Sequence, residues 1–282
     1  MRKQRELDAA FTLDTVRDLD ALLIRRAAAA ATAYTQFPAI RALPYGPGAG
    51  ETFHLFPSRS ADGLAPVEIF IHGGFWLSME AEQFSFLARG FVPYGAALVV
   101  IDYPLIPVVR LAGIVDACQR AVAYLHRHGT EHGLDSDRMF IAGNSAGGHL
   151  VAELMDRRWT REVGLPDDVI KGGAAVSRLF DLRPVAASLR NESLQFTLEE
   201  VKRFSPLLRR PEIRSPTIVA VGGDETSEFL RQSGDFAQLV RSMGAPVEHI
   251  VVAGANHITV VLDALADPDA PLNRAIRRQI GV

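Results

Sequence analysis

A serine hydroxyl becomes a useful nucleophile when a fold exposes it on a tight turn and supplies a base. Gly143-Asn144-Ser145-Ala146-Gly147 has the composition of such a turn. The pentapeptide lies between an apolar run, Met139-Phe140-Ile141-Ala142, and a helix-like stretch, Gly148-His149-Leu150-Val151-Ala152-Glu153-Leu154. A strand-to-helix elbow there would lift the Ser145 Oγ above the C-terminal edge of a sheet. The helix behind it would aim free N–H groups and a partial positive charge at the reaction centre. About one chain in ten of this length carries the pattern by chance. Its meaning rests on what accompanies it.

A base, an orienting acid and an oxyanion hole must accompany it, each at a strand end. Of eight histidines, His257 stands out, because Val251-Val252-Ala253-Gly254-Ala255-Asn256-His257 puts it in a loop just beyond a strand-like run. His126, His128 and His132 cluster about one helix end, His54 and His249 fall within strand-like runs, and His149 sits on a helix flank with a packing role. The acid should follow the preceding strand, where Thr217-Ile218-Val219-Ala220-Val221 runs into Gly222-Gly223-Asp224-Glu225. Neighbouring side chains diverge, so one of Asp224 and Glu225 reaches His257 and the other is a solvated turn or N-cap residue. Ile69-Phe70-Ile71 leads into His72-Gly73-Gly74-Phe75-Trp76, whose glycines let backbone N–H groups turn inward. By position the oxyanion donors are the amides of Gly74, Phe75 and Ala146, with His72 holding the loop.

The elements that would position these groups are legible in the apolar pattern. Strand-like runs at Thr52–Phe56, Val67–Ile71, Ala97–Ile101, Met139–Gly143, Gly173–Ser177, Thr217–Val221 and Val247–Val252 alternate with helical patterns near 80–92, 110–132, 146–158, 226–243 and 271–280. Most of the runs are continuously apolar, as strands covered on both faces are. The alternation predicts an α/β fold with a mostly parallel, doubly wound sheet. Residues 5–34 lack Gly and Pro and read as one or two helices. The breaker cluster Pro44-Tyr45-Gly46-Pro47-Gly48-Ala49-Gly50 then divides an N-terminal helical arm (1–50) from a catalytic unit (51–282). Leu179 to Pro211 interrupts the alternation and is the expected insertion over the site. Phe75, Trp76, Phe84, Phe86 and Tyr103 could wall a pocket for a flat leaving group, with Phe84 and Phe86 read as core.

Composition narrows the partners. The chain has 282 residues, net charge −3 and 22% charged residues, a balance that advertises no nucleic acid partner and no acidic tail. One cysteine, Cys118, rules out an intrachain disulfide and a multi-cysteine metal site. No apolar leader follows Met1-Arg2-Lys3-Gln4-Arg5-Glu6, and the run Ala27–Ala33 is too short to span a membrane. The expectation is a cytoplasmic protein with a small-molecule acyl substrate and no membrane partner. The arm is placed to pack across the pocket or against a second subunit, as in a homodimer.

The residues His72-Gly73-Gly74-Phe75-Trp76, Ile101-Asp102-Tyr103-Pro104, Gly143-Asn144-Ser145-Ala146-Gly147-Gly148-His149-Leu150 and Glu225-Thr226-Ser227-Glu228-Phe229-Leu230-Arg231-Gln232-Ser233 together resemble the kynurenine formamidase (arylformamidase) branch of the α/β-hydrolases, close to the hormone-sensitive-lipase-like esterases. The likeness runs from about residue 50 to the C-terminus. It implies an α/β-hydrolase fold and hydrolysis, without metal or cofactor, of an aryl formamide or a small ester or amide. It also implies roles for Ser145 as nucleophile, His257 as base and Glu225 as acid. In such hydrolases the acid falls four residues beyond the strand's last apolar position, which favours Glu225 and leaves Asp224 as the alternative. The chain departs from the pattern at Asn144, where relatives often carry His, and a neutral amide there changes the polarity beside the nucleophile. A general short-chain carboxylesterase or deacetylase is the rival enzyme. A non-catalytic ligand binder is the rival outside enzymes.

Overall fold

The computed structural model describes residues 2–13, 16–59 and 63–282. Eight strands make one sheet: β1 (Ile40–Pro44), β2 (Thr52–Phe56), β3 (Ala65–Ile71), β4 (Ala97–Ile101), β5 (Leu134–Asn144), β6 (Ile170–Val176), β7 (Thr217–Gly222) and β8 (Val247–Val252). Their spatial order is β1-β2-β4-β3-β5-β6-β7-β8. β2 is antiparallel to β1 and to β4, and the remaining neighbours are parallel. The sheet is therefore the mostly parallel, doubly wound one that the alternation predicts.

Both faces of the central strands are covered, which is why β3, β4 and β7 read as mostly apolar runs, while the edge strands β1 and β8 are largely exposed. In β3, Val67, Ile69 and Ile71 enter one core with Phe53, Leu55, Val99 and Ile101, while Phe70 enters the other with Phe56, Leu98, Val100 and Phe140. The helices Leu111–His128, Ala146–Leu154, Ser227–Ser242 and Pro271–Ile280 lie where 3.6-residue periodicity places them. Cys118 is fully buried in the first of these. Residues 80–92 form a 3₁₀ helix, Ala81–Leu87, followed by a single α-turn, Ala88–Phe91, rather than one continuous helix. Among the described residues no helix is long and apolar enough to cross a membrane.

The N-terminal segment differs from the helical arm expected over 1–50. Two helices are present, Arg2–Ala9 and Leu19–Gln36, but the segment ends by adding β1 to the sheet edge. β1 carries a mostly exposed pattern, so it has no apolar alternation to betray it. The insertion between Leu179 and Pro211 is a chain of short helices: Arg183–Ala186, Asn191–Leu194, Leu198–Arg203 and Pro206–Arg209.

Two features of this frame make stability testable. The turn at Ser145 is docked so closely on β3 that a Cβ at Gly147 would lie 1.9 Å from the Ile71 carbonyl oxygen. A Cβ at Gly143 would lie 2.5 Å from the Gly147 carbonyl carbon. Backbone surrounds both, so neither clash can be relieved by a side-chain rotation. Gly147→Ala is expected to lower stability by about 3 kcal/mol or more, read as the thermal midpoint or as loss of soluble protein. The second feature is Glu68 in β3, whose two carboxyl oxygens are buried without a hydrogen-bond partner. Burial pushes this carboxyl well above the usual carboxylate range. Because the folded value is raised, its contribution to stability is whole below the unfolded carboxylate pKa and is lost as pH rises through the folded one. Glu68→Gln should therefore stabilise the protein at pH 8 and above, and change little near pH 4, in thermal melts across that range.

Candidate active site

Five adjacent strands deliver one group each to the same edge of the sheet. β3 leads into His72–Trp76, β5 into Ser145, β6 into Ser177 and Arg178, β7 into Glu225, and β8 into the loop bearing His257. Register explains the convergence: Ile71 lies opposite Gly143, Asn144 opposite Val176, and Gly222 opposite Val252. All five loops therefore leave the sheet at one level. In open parallel sheets that edge is where ligands bind.

Ser145 occupies the elbow with φ 55° and ψ −122°, a strained conformation for a residue with a Cβ. Its N–H donates to the Val176 carbonyl at 3.0 Å, and its carbonyl accepts from His149 N at 3.2 Å. These bonds hold the turn from both sides. The helix Ala146–Leu154 begins at the next residue.

The loop after β3 lies directly against the serine. A Cβ at Gly73 would stand 3.0 Å from that of Ser145. Gly74, Phe75 and Trp76 all have positive φ, of 103°, 52° and 59°. Gly74 and the two aromatics thus turn the backbone over, and a Cβ at Gly74 would strike the Ser78 carbonyl oxygen at 2.1 Å. Among the described residues the amides of Gly74, Phe75 and Ala146 donate to no acceptor. His72 supports the loop. It is fully buried, its Nδ1 is 2.8 Å from the Gly73 carbonyl oxygen, and its ring stacks on Tyr103 at 4.3 Å. Tyr103 OH donates to the His72 carbonyl at 2.8 Å. Burial pushes the imidazole down to about 4, so it is neutral around pH 7.

The structure separates the two competing carboxylates. His257 Nδ1 is 2.6 Å from Glu225 Oε2, whereas Asp224 is exposed. Glu225 Oε1 accepts from Gly222 N at 2.8 Å and from the Ser177 hydroxyl. The buried carboxylate is thereby supplied with donors on both oxygens, which fixes the face it turns to the imidazole. Ser177 has no signature in the sequence. It could be found only by knowing that β6 pairs with β7. No hydrogen bond joins Ser145 Oγ to His257 Nε2; in serine–histidine pairs that bond is often long and tightens with substrate.

Two small cavities open on these groups and share Phe75 and Phe229 as walls. One is bounded also by Trp76, Ser145, Ala146, Arg178 and Leu179, the other by Phe11, Thr12, Leu13, Glu225, Thr226 and His257. Trp76 is buried against the insertion, its ring 5.6 Å from that of Phe196. Phe84 and Phe86 lie in the second core, as their core reading requires. His149 is fully buried with Nε2 2.7 Å from the Phe204 carbonyl oxygen, a packing role. Asn144 is buried beside the serine with its Nδ2 unpartnered. The arm residues Phe11 to Leu13, like Ser177, belong to the part of the site that no motif announced.

Comparison with known proteins agrees with this geometry. The profile of the alpha/beta hydrolase fold family matches residues 68–261. The chain is 29% identical to kynurenine formamidase of Danio rerio over 249 residues, covering 85% of this chain and 81% of that one. It is 23% identical to a sequence named as a probable isoprenylcysteine alpha-carbonyl methylesterase of Arabidopsis thaliana, over 79% of this chain and 51% of that one. Among solved structures, a thioesterase candidate from Silicibacter sp. tm1040 is 30% identical with a TM-score of 0.82, covering 96% of this chain and 98% of that one. Strand order, elbow, loop glycines and sequence profile converge on one assignment: the chain belongs to the α/β-hydrolase fold family.

Proposed function

We propose that this hydrolase cleaves a small aryl formamide or short-chain ester through an acyl-serine intermediate, with the formamide as its preferred substrate. The observation that carries the reading is the Glu225–His257 contact on the same sheet edge as Ser145 and three unengaged amides. In this scheme Ser145 Oγ attacks the acyl carbonyl while His257 Nε2 takes the proton, and Glu225 orients the imidazole and offsets its new charge. Negative charge gathers on the carbonyl oxygen, where the amides of Gly74, Phe75 and Ala146 receive it. His257 then gives its proton to the departing amine or alcohol, and water releases the acid by the reverse sequence.

Size supports the preference for a formyl group. The cavity at Ser145 leaves about 10 Å³ for atom centres, room for about one water molecule. Trp76, Leu179 and Phe229 form its apolar walls. A formyl or acetyl group suits that space, and a longer acyl chain would have to displace one of the rings. The aromatic walls of the neighbouring cavity, Phe11, Phe75 and Phe229, suit a flat leaving group. Relatedness to kynurenine formamidases points the same way.

Ser145→Ala should abolish turnover while the thermal midpoint stays close to that of the parent. Glu225→Gln should lower kcat by about 10³–10⁴-fold, whereas Asp224→Asn should change it less than about threefold. An equal loss in both carboxylate variants would remove Glu225 from its proposed role. An aryl formamide should exceed a nitrophenyl butyrate in kcat/KM by about 10²-fold or more. The opposite order would make the enzyme a general short-chain esterase.

A further inference from the structure

Arg178 is the one wall of the Ser145 cavity that the scheme above leaves without a task. It follows β6 directly, is 1% exposed, and lines the cavity with Ser145, Ala146 and Trp76. Its side chain runs along the first turn of the nucleophile helix, where a Cβ at Gly148 would meet Arg178 Cδ at 3.2 Å. Its guanidinium rests over the Phe180 ring at 4.3 Å. Among the described residues it makes no hydrogen bond, and Nε and Nη2 are both buried and unpartnered. A buried guanidinium in that condition is costly, because neither solvent nor an acceptor replaces its lost hydration.

The groups around it do not remove the cost. Glu153 attracts it electrostatically, but no hydrogen bond joins the two: Glu153 Oε2 is engaged by Arg209 Nη2 at 2.7 Å, and Oε1 is buried without a partner. His149 lies on the same helix and is held neutral by burial and by the nearby Arg178 charge. Burial likewise pushes the guanidinium below its ordinary value, the sign of a charge left without compensation. The pair of nitrogens left free matters. Nε and one Nη form the side-on fork that matches the two oxygens of a carboxylate.

We propose that Arg178 is the receptor for the small carboxylate that hydrolysis leaves beside Ser145, a binding site for formate and, less tightly, acetate. The proposal rests on the acyl-serine reading above. In the second half of that reaction a water oxygen bonds to the acyl carbon and the bond from that carbon to Ser145 Oγ breaks. His257 takes a proton from the water and returns it to Ser145 Oγ. The acid formed sheds its remaining acidic proton to solvent at neutral pH. A neutral acyl-serine is thus replaced by an anion in a space of one small group, next to an unpaired cation. The cavity size that selects a formyl group selects formate as the anion.

The test needs a readout that does not depend on turnover. Formate should raise the thermal midpoint of the parent protein, with sodium chloride at equal ionic strength as the control. It should also slow labelling of Ser145 by a fluorophosphonate, saturably and at concentrations below about 100 mM. In Arg178→Gln and Arg178→Lys the formate concentration needed for either effect should rise about tenfold or more, each variant referred to its own formate-free rate. The Lys variant keeps the charge and loses the fork, so it serves if the Gln variant does not fold. A parent protein indifferent to formate, or an effect undiminished in the variants, overturns the proposal. If the fluorophosphonate does not label Ser145 at all, the hydrolytic reading falls instead, and the thermal shift still decides whether Arg178 holds the anion.

Discussion

The close approach of two backbones, the first turn after Ser145 and the end of β3, sets the position of everything else in the site. With hydrogen as the only side chain at Gly147, the nucleophile helix settles onto the Ile71 carbonyl. The Gly73 backbone also comes close to Ser145, where an added Cβ would stand 3.0 Å from that of the serine. In the proposed mechanism a separation larger by one methyl group would move the loop amides away from the oxygen they are to stabilise. The strain at Ser145, and the positive φ at Phe75 and Trp76, are the local costs of this packing. They are offset by the two apolar cores that clamp the sheet from both faces.

Electrostatics around the site is arranged by burial more than by ion pairing. His72 braces the Gly73–Trp76 loop and is kept neutral by burial, so under the proposed mechanism it adds no charge beside the serine. Glu225 is surrounded by donors, which holds its geometry, while the adjacent Asp224 is left to solvent. One chain thus assigns two neighbouring carboxylates to opposite environments by turning the backbone once.

Much of this was readable in the residues. Seven strands were legible, most of them as continuous apolar runs because the middle of the sheet is buried on both faces, and β2, β4 and β8 match the expected limits residue for residue. The strand-end positions of Ser145, of the Asp224-Glu225 pair, of His257 and of the glycine loop were legible in the sequence, whereas the preference for Glu225 over Asp224 came from the family resemblance. What escaped was decided by long-range contact. β1 has no apolar face of its own and forms because an edge was free to pair. Ser177 gains meaning only from the β6–β7 pairing, and Phe11 only from loops more than two hundred residues later. The unpaired state of Arg178 could not be seen without knowing which acceptors fail to reach it.

The clasp on the N-terminal segment bears on how the molecule matures. Thr226 Oγ1 donates to the Ala10 carbonyl across 216 positions, and Arg190 Nε to the Phe11 carbonyl across 179. Arg190 also lies over Phe75, joining the segment to the oxyanion loop. Residues 10 and 11 therefore find their seat only after Arg190 and Thr226 have been made. A nascent chain can build much of the sheet while the cavity that Phe11 lines still lacks that wall. Seating of the segment is in this way tied to chain more than two hundred residues further on.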